Sequence, residues 1–213
     1  PRQPNGQQTE NLFHCGNLAL LPENLEPTVN LTLTAEQITP EHAGLCADEQ
    51  GGFTLARAAW GLLQSKYDAL FAPSLDPQVP VDRTVLLTRV RAWMIYRDYR
   101  QELNLNCQTG FTAGYANRLA WTFQVPSGMG QNVMLRVEWH LARDRQQATL
   151  TFSRLPAPDQ HHRHALPDEN PVTLFLRPDL DNRVNHDVTK AFQGPEIAFP
   201  AAVTPRPDGF FFR

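Results

Sequence analysis

Apolar and polar residues alternate with period two through much of this chain. The clearest case is Thr84 to Tyr96. Leu86, Thr88, Val90, Ala92, Met94 and Tyr96 fall on one face. Leu87, Arg89, Arg91, Trp93 and Ile95 fall on the other, with Arg97 just beyond. Successive side chains of a strand point to opposite faces, so the even set is expected inside and the arginines with Trp93 outside. The same reading makes strands of "VNLTLT" (29–34), "ELNLNC" (102–107), Leu119 to Val125, Val133 to Leu141 and "ATLTFSRL". "PSGMGQ" and "RDRQ" supply the turns between the last three, as in a meander. Val172–Arg177 and the closing "DGFFFR" read as further strands.

Only "TLARAAWGLLQSKYDALF" (54–71) shows a partial helical stripe, and Gly61 weakens it, so one short helix is admitted there. Many alternating strands, turns between them and little helix predict an all-β fold, a large antiparallel β-sandwich with at most one or two short helices. Residues 1–28, rich in Pro, Asn, Gln and Glu, read as an extended lead-in, and 29–213 as a single β-sandwich domain.

Composition sharpens this picture in a few places. A chain of 213 residues can bury a sizeable core, and 18 prolines favour short segments over long helices. The net charge of −3 gives no reason to expect nucleic acid or a membrane as partner. Cysteines at 15, 46 and 107 are odd in number and widely spaced, which suits neither a disulfide framework nor a zinc site. A reducing, cytoplasmic compartment follows as the simplest expectation. Of the 19 basic residues 17 are arginine, the side chain whose planar fork suits carboxylates and sugar hydroxyls.

Two stretches carry candidate chemistry. The first is the face with Arg89, Arg91, Trp93 and Arg97, where an aromatic ring flanked by donors offers what a sugar ring needs. The alternative is packing of Trp93 under a loop, with the arginines paired to Glu138. The second is "LRPDLDNRVNHDVTK" (176–190), with Arg177, Asp179, Asp181, Arg183, His186, Asp187 and Lys190. Its Asp-x-Asp-x-Arg start resembles a calcium loop, but Val184 stands where the turn glycine belongs and Lys190 where the bidentate glutamate belongs. An ordered loop leaving a strand at Arg177, stopped by Pro178 and held by its own charges, is the first expectation. A polar rim for a hydroxyl-rich ligand is the second.

Weaker candidates are "QHHRH" (160–164), read as a solvated loop rather than a metal site, and His140 beside Glu138, either an acid–base pair or ordinary cross-strand neighbours. No serine-hydrolase elbow, zinc-protease helix or phosphate loop is present. No metal or cofactor is called for.

The phrases "SKYDALFAPSLDPQVPVDRTVLLTRVRAWMIYRDYRQEL", "TFQVPSGMGQNVMLRVEWHL" and "VTLFLRPDLDNRVNHDVTKAFQGPE" resemble the N-terminal β-region of bacterial glycogen debranching enzymes of the amylo-alpha-1,6-glucosidase type. The resemblance spans about residues 65–213 and carries no catalytic signature. It implies a β-supersandwich similar to the galactose mutarotase fold, lying N-terminal to a catalytic (α/α) toroid that this chain lacks. It further implies a non-catalytic accessory domain of a glycoside hydrolase, with an α-glucan and the downstream catalytic domain as partners. A mutarotase-like sugar enzyme and a purely structural interaction domain are the alternatives.

Overall fold

A computed structural model describes residues 31–76, 78–79, 82–156, 164–188, 201 and 203–212. The described residues form thirteen strands. They are β1 (Leu31–Thr34), β2 (Ala43–Ala47), β3 (Phe53–Arg57), β4 (Ala69–Ala72), β5 (Thr84–Tyr96), β6 (Tyr99–Glu102) and β7 (Gln108–Gly114). There follow β8 (Arg118–Gly128), β9 (Gln131–Leu141), β10 (Ala148–Leu155), β11 (Thr173–Val184), β12 (Val203–Arg206) and β13 (Gly209–Phe212). The longest helical element among the described residues is one 3-10 turn, Ala35–Gln37, so none is long and apolar enough to cross a membrane.

The strands form two antiparallel sheets and a separate hairpin. One sheet has the order β1-β7-β8-β9-β10; the other runs β11-β5-β4-β3-β2, with β6 also on β5; among the described residues β12 pairs with β13 alone. The expected all-β sandwich is therefore the observed fold. Its core follows from the alternation. Leu119, Trp121, Phe123 and Val125 on β8 meet Val133, Leu135, Val137, Trp139 and Leu141 on β9, all buried on one side of their sheet. They pack in one cluster with Cys46, Ala56, Leu70, Val90, Ala92 and Met94 of the second sheet. Burial pushes the Cys46 thiol up to about 12, so it packs as a small apolar group.

Buried polar groups key the sheets together. Trp121 Nε1 donates to the Arg57 carbonyl (3.1 Å), and Trp139 Nε1 to Thr54 Oγ1 (2.9 Å). Thr54 in turn donates to the Leu70 carbonyl (2.6 Å). Gln108 on β7 reaches across with both ends of its amide. Its Nε2 donates to the Ala58 carbonyl (2.7 Å), and its Oε1 accepts from the Trp60 N–H (2.9 Å). Trp60 then stands edge-on to Trp121, Phe123 and Phe152, with ring centroids 5.1, 6.1 and 6.5 Å away.

Several expectations need correction. The helix admitted over 54–71 is absent. Thr54, Ala56 and Ala58 are buried in alternation, a strand period, and the chain loops between β3 and β4. Gly61 takes φ +73°, a left-handed conformation that ends any helix there. Asp68 also captures the Gln64 and Ser65 N–H groups (2.6 and 2.9 Å) while Arg57 clamps both of its oxygens. These competing acceptors hold the loop without helical bonds. "ELNLNC" is strand only to Glu102; Asn104 then turns the chain, its carbonyl accepting from Cys107 and Gln108 N–H.

On β5 the inward set is Val90, Ala92 and Met94, as expected, but nearer the start it is Val85 and Leu87. The phase switches because β5 carries an extra residue, Thr88, where Asp179 faces Arg89 and Leu180 faces Leu87. A bulge of one residue exchanges the two faces of the strand beyond it. The lead-in 1–28, all of "QHHRH" except His164, and Lys190 lie outside the described residues.

The Gln108 clip gives the first prediction. Gln108→Leu keeps the bulk but leaves the Trp60 N–H and Ala58 carbonyl without partners. The variant should lose about 2–4 kcal/mol, the cost of two orphaned buried groups. This is read as a lower urea midpoint at unchanged slope; an unchanged midpoint would mean that water replaces the amide.

Candidate functional site

The two candidate stretches are one feature in space. Antiparallel pairing of β11 with β5 sets Phe175 opposite Trp93, Arg177 opposite Arg91 and Asp179 opposite Arg89. The segment 176–190 is thus not a loop from Arg177, as its charges and Pro178 suggest. It continues as strand to Val184 and turns at Asn185–Asp187. Pro178 is tolerated because β11 is the edge of its sheet, where a missing N–H breaks no ladder.

On the outer face, Asp179 gathers three guanidinium groups. Its Oδ2 accepts from Arg89 Nε at 2.7 Å and lies 3.7 Å from Arg91 Nε; its Oδ1 lies 3.3 Å from Arg177 Nε. Arg89 also donates to the Gly61 carbonyl (2.8 Å), and Thr88 Oγ1 to the Asp179 carbonyl (2.9 Å), which fastens the bulge. The Trp93 ring lies 5.7 Å from that of Phe175, tilted by 60°, with the Arg91 guanidinium 5.6 Å from its centroid. Trp93 is half-covered, whereas Phe175 is more than half exposed. The arginines do not pair with Glu138, which belongs to the other sheet and pairs with Arg136 at 3.0 Å.

Of the eight residues singled out, Arg89, Arg91, Trp93, Arg177 and Asp179 come together. Asp181, Arg183 and His186 lie farther along β11 and its turn. A second bulge separates them, since Leu180 faces Leu87 while Arg183 faces Val85. Here the expected self-pairing of charges is present. Arg183 Nε donates to Asp181 at 2.7 Å, both side chains being about nine-tenths buried. The rest of its fork reaches the carbonyls of Asn185, Asp187 and Lys66. Lys66 Nζ donates to the His186 carbonyl (2.5 Å), and Tyr67 OH lies 3.4 Å from His186 Nδ1. The Arg183 corner therefore binds the end of β11 to the 64–68 loop.

Sequence reasoning missed Phe175 as a site residue. The signal was available in its alternation with Leu174 and Leu176, but its neighbour Trp93 lies some eighty residues earlier. Among the described residues no group of three or more His, Cys, Asp or Glu is placed to hold a metal. Glu138 is paired with Arg136, and His140 faces Arg118 and Thr149 across its strand.

Compared with known families, the sequence matches the one described as "Glycogen debranching enzyme N terminal" over residues 43–203. That stretch includes β2 to β11 and the whole Asp179 cluster. The chain belongs to this family. No curated protein and no solved structure matches it. Among its described residues, the debranching-enzyme N-terminal domain thus carries three arginines around one carboxylate on the outer face of the six-stranded sheet, at an edge strand.

Two predictions follow from these environments. Arg183→Ala in this N-terminal domain should cost on the order of 1–3 kcal/mol, because the buried Asp181 loses one charged donor and the Asn185 and Asp187 carbonyls lose theirs. Thermal unfolding checks it, and a melting temperature equal to the parent's would contradict it. His140 should titrate below the ordinary histidine range, held down first by burial and then by the positive charges of Arg118 and Arg145. A depressed histidine favours the fold while neutral, so its small contribution is lost as pH falls from the unfolded value through the folded one. Ring-proton NMR titration tests the direction, and Arg118→Ala should move the midpoint upward.

Proposed function

We propose that this domain is a non-catalytic accessory part of a glycogen debranching enzyme, that it contributes to α-glucan binding, and that a catalytic (α/α) toroid of the same protein is its packing partner. The glucan surface is the outer face of the six-stranded sheet around Trp93 and Phe175. What supports this reading is the pairing of those two rings beside Arg89, Arg91 and Arg177. Phe175 offers a flat apolar face for sugar C–H groups, and the guanidinium forks offer donors to hydroxyls. Glucan chains repeat, so a shallow open face suits them better than an enclosed pocket. The parent protein in this reading is a glycoside hydrolase of the amylo-alpha-1,6-glucosidase type, working in the cytoplasm. The two described cysteines, Cys46 and Cys107, are both free and buried, which fits a reducing compartment.

The test uses the exposed ring. Phe175→Ala should weaken affinity for a maltooligosaccharide by about 1–3 kcal/mol, taking base stacking on aromatics as the nearest scale. Its melting temperature should stay close to the parent's. Trp93→Ala should lose both affinity and stability, since that ring is already packed against Phe175 and Arg91. Calorimetric titration with unchanged affinity in both variants would remove this face from glucan binding.

A further inference from the structure

The charges around Asp179 do not balance. Three guanidinium groups share one carboxylate. On the other flank of β5, Arg100 stands opposite Ile95 and Glu102 opposite Trp93, one charge of each sign. Arg91 and Arg177 are direct cross-strand partners, a like-charge pairing that destabilises a sheet unless something neutralises it. Asp179 engages all three arginines through Nε. Among the described residues no acceptor takes the terminal nitrogens of Arg91 or Arg177, and the buried Arg91 Nε makes no hydrogen bond. The carboxylate therefore orients the forks and leaves about two positive charges facing outward.

We propose that this cluster is a phosphomonoester site that takes a sugar phosphate. A phosphate monoester carries about −1.5 to −2 charge near neutral pH, which matches the excess. Its oxygens accept paired N–H bonds from arginine forks in the way a carboxylate does. Neutral sugar hydroxyls would leave the Arg91–Arg177 repulsion in place, whereas a dianion relieves it. The sugar ring lies against Phe175, the cross-strand partner of Trp93. This half of the inference rests on the sugar-binding reading of the same face.

The experiment is calorimetric titration of the whole chain at low salt with four probes: glucose 6-phosphate, inorganic phosphate, glucose and a maltooligosaccharide. Glucose 6-phosphate should bind at least about tenfold more tightly than glucose or inorganic phosphate, because it alone engages both forks and ring. Added salt should weaken it, as should lowering the pH below the second phosphate pKa of about 6. Arg177→Ala, whose side chain is 60% exposed, should lose at least about tenfold in that affinity with no fall in melting temperature. Arg143→Ala, in the remote β9–β10 turn, should lose none.

Equal binding of glucose and glucose 6-phosphate, or affinity untouched by Arg177→Ala, would overturn the inference. Inorganic phosphate binding as tightly as the ester would overturn its sugar half. The maltooligosaccharide arm separates the two readings. Glucan binding without any preference for phosphate defeats this inference alone, and phosphate preference without glucan binding defeats the glucan surface alone.

Discussion

Everything in this fold rests on buried donors and acceptors finding partners across the gap between two sheets. Two greasy faces could slide over one another at little cost. Two indole N–H groups, a threonine hydroxyl and the Gln108 amide cannot, because each unpaired group in a dry core is costly. Gln108 spans from β7 to the loop after β3 and meets a carbonyl with one end and an N–H with the other. That contact lays Trp60 against Trp121 and Phe123. With Trp60 in place, the loop through Gly61 lies beside β5, where the Gly61 carbonyl accepts from Arg89. The outer-face cluster is thus anchored, through one loop, to the central amide of the core.

The cluster itself is a product of irregularity. Regular pairing would keep Leu87 on the same face as Arg89 and Arg91. The extra residue Thr88 lets Leu87 turn into the core while the arginines stay outside. β-bulges bend and re-aim strands in this way, and they concentrate near sheet edges. Here the bulge sits opposite Asp179, whose backbone carbonyl accepts from the Thr88 hydroxyl. The kink and the charge cluster share one pair of residues. The same chemistry guards the edge strand. Pro178 and the exposed charge of Arg177 discourage a stray strand from adding to β11.

Along β11 the charged residues divide between two physical roles. Arg183 and Asp181 are buried, paired with each other, and tied to backbone carbonyls of two other segments, as a structural clamp requires. Arg177 is mostly exposed and has only a shared claim on Asp179. Burial with full pairing favours stability; exposure with incomplete pairing leaves capacity for a ligand. Residues two to six positions apart in one strand thus serve different ends because bulges and burial place them in different surroundings.

Alternation by itself determined much of this protein. The β8–β9 hairpin, its inward residues from Leu119 to Leu141, and the Val90–Ala92–Met94 face were legible because period-two burial is a local property of extended chain. The scarcity of helix was legible for the same reason. Elsewhere the local code misled. Residues 54–71 looked partly helical because Leu and Ala spacing was read without Asp68, whose carboxylate organises that loop through Arg57. Pro178 looked like a strand end because sequence does not say which strand is an edge. What only the tertiary structure decided was that Trp93 and Phe175, and Arg91 and Arg177, face each other. That pairing joins segments some eighty residues apart, and no local pattern encodes register across such a distance. Nor does the sequence reveal that one aspartate must serve three arginines, since charge balance at a site depends on which chains the fold brings together.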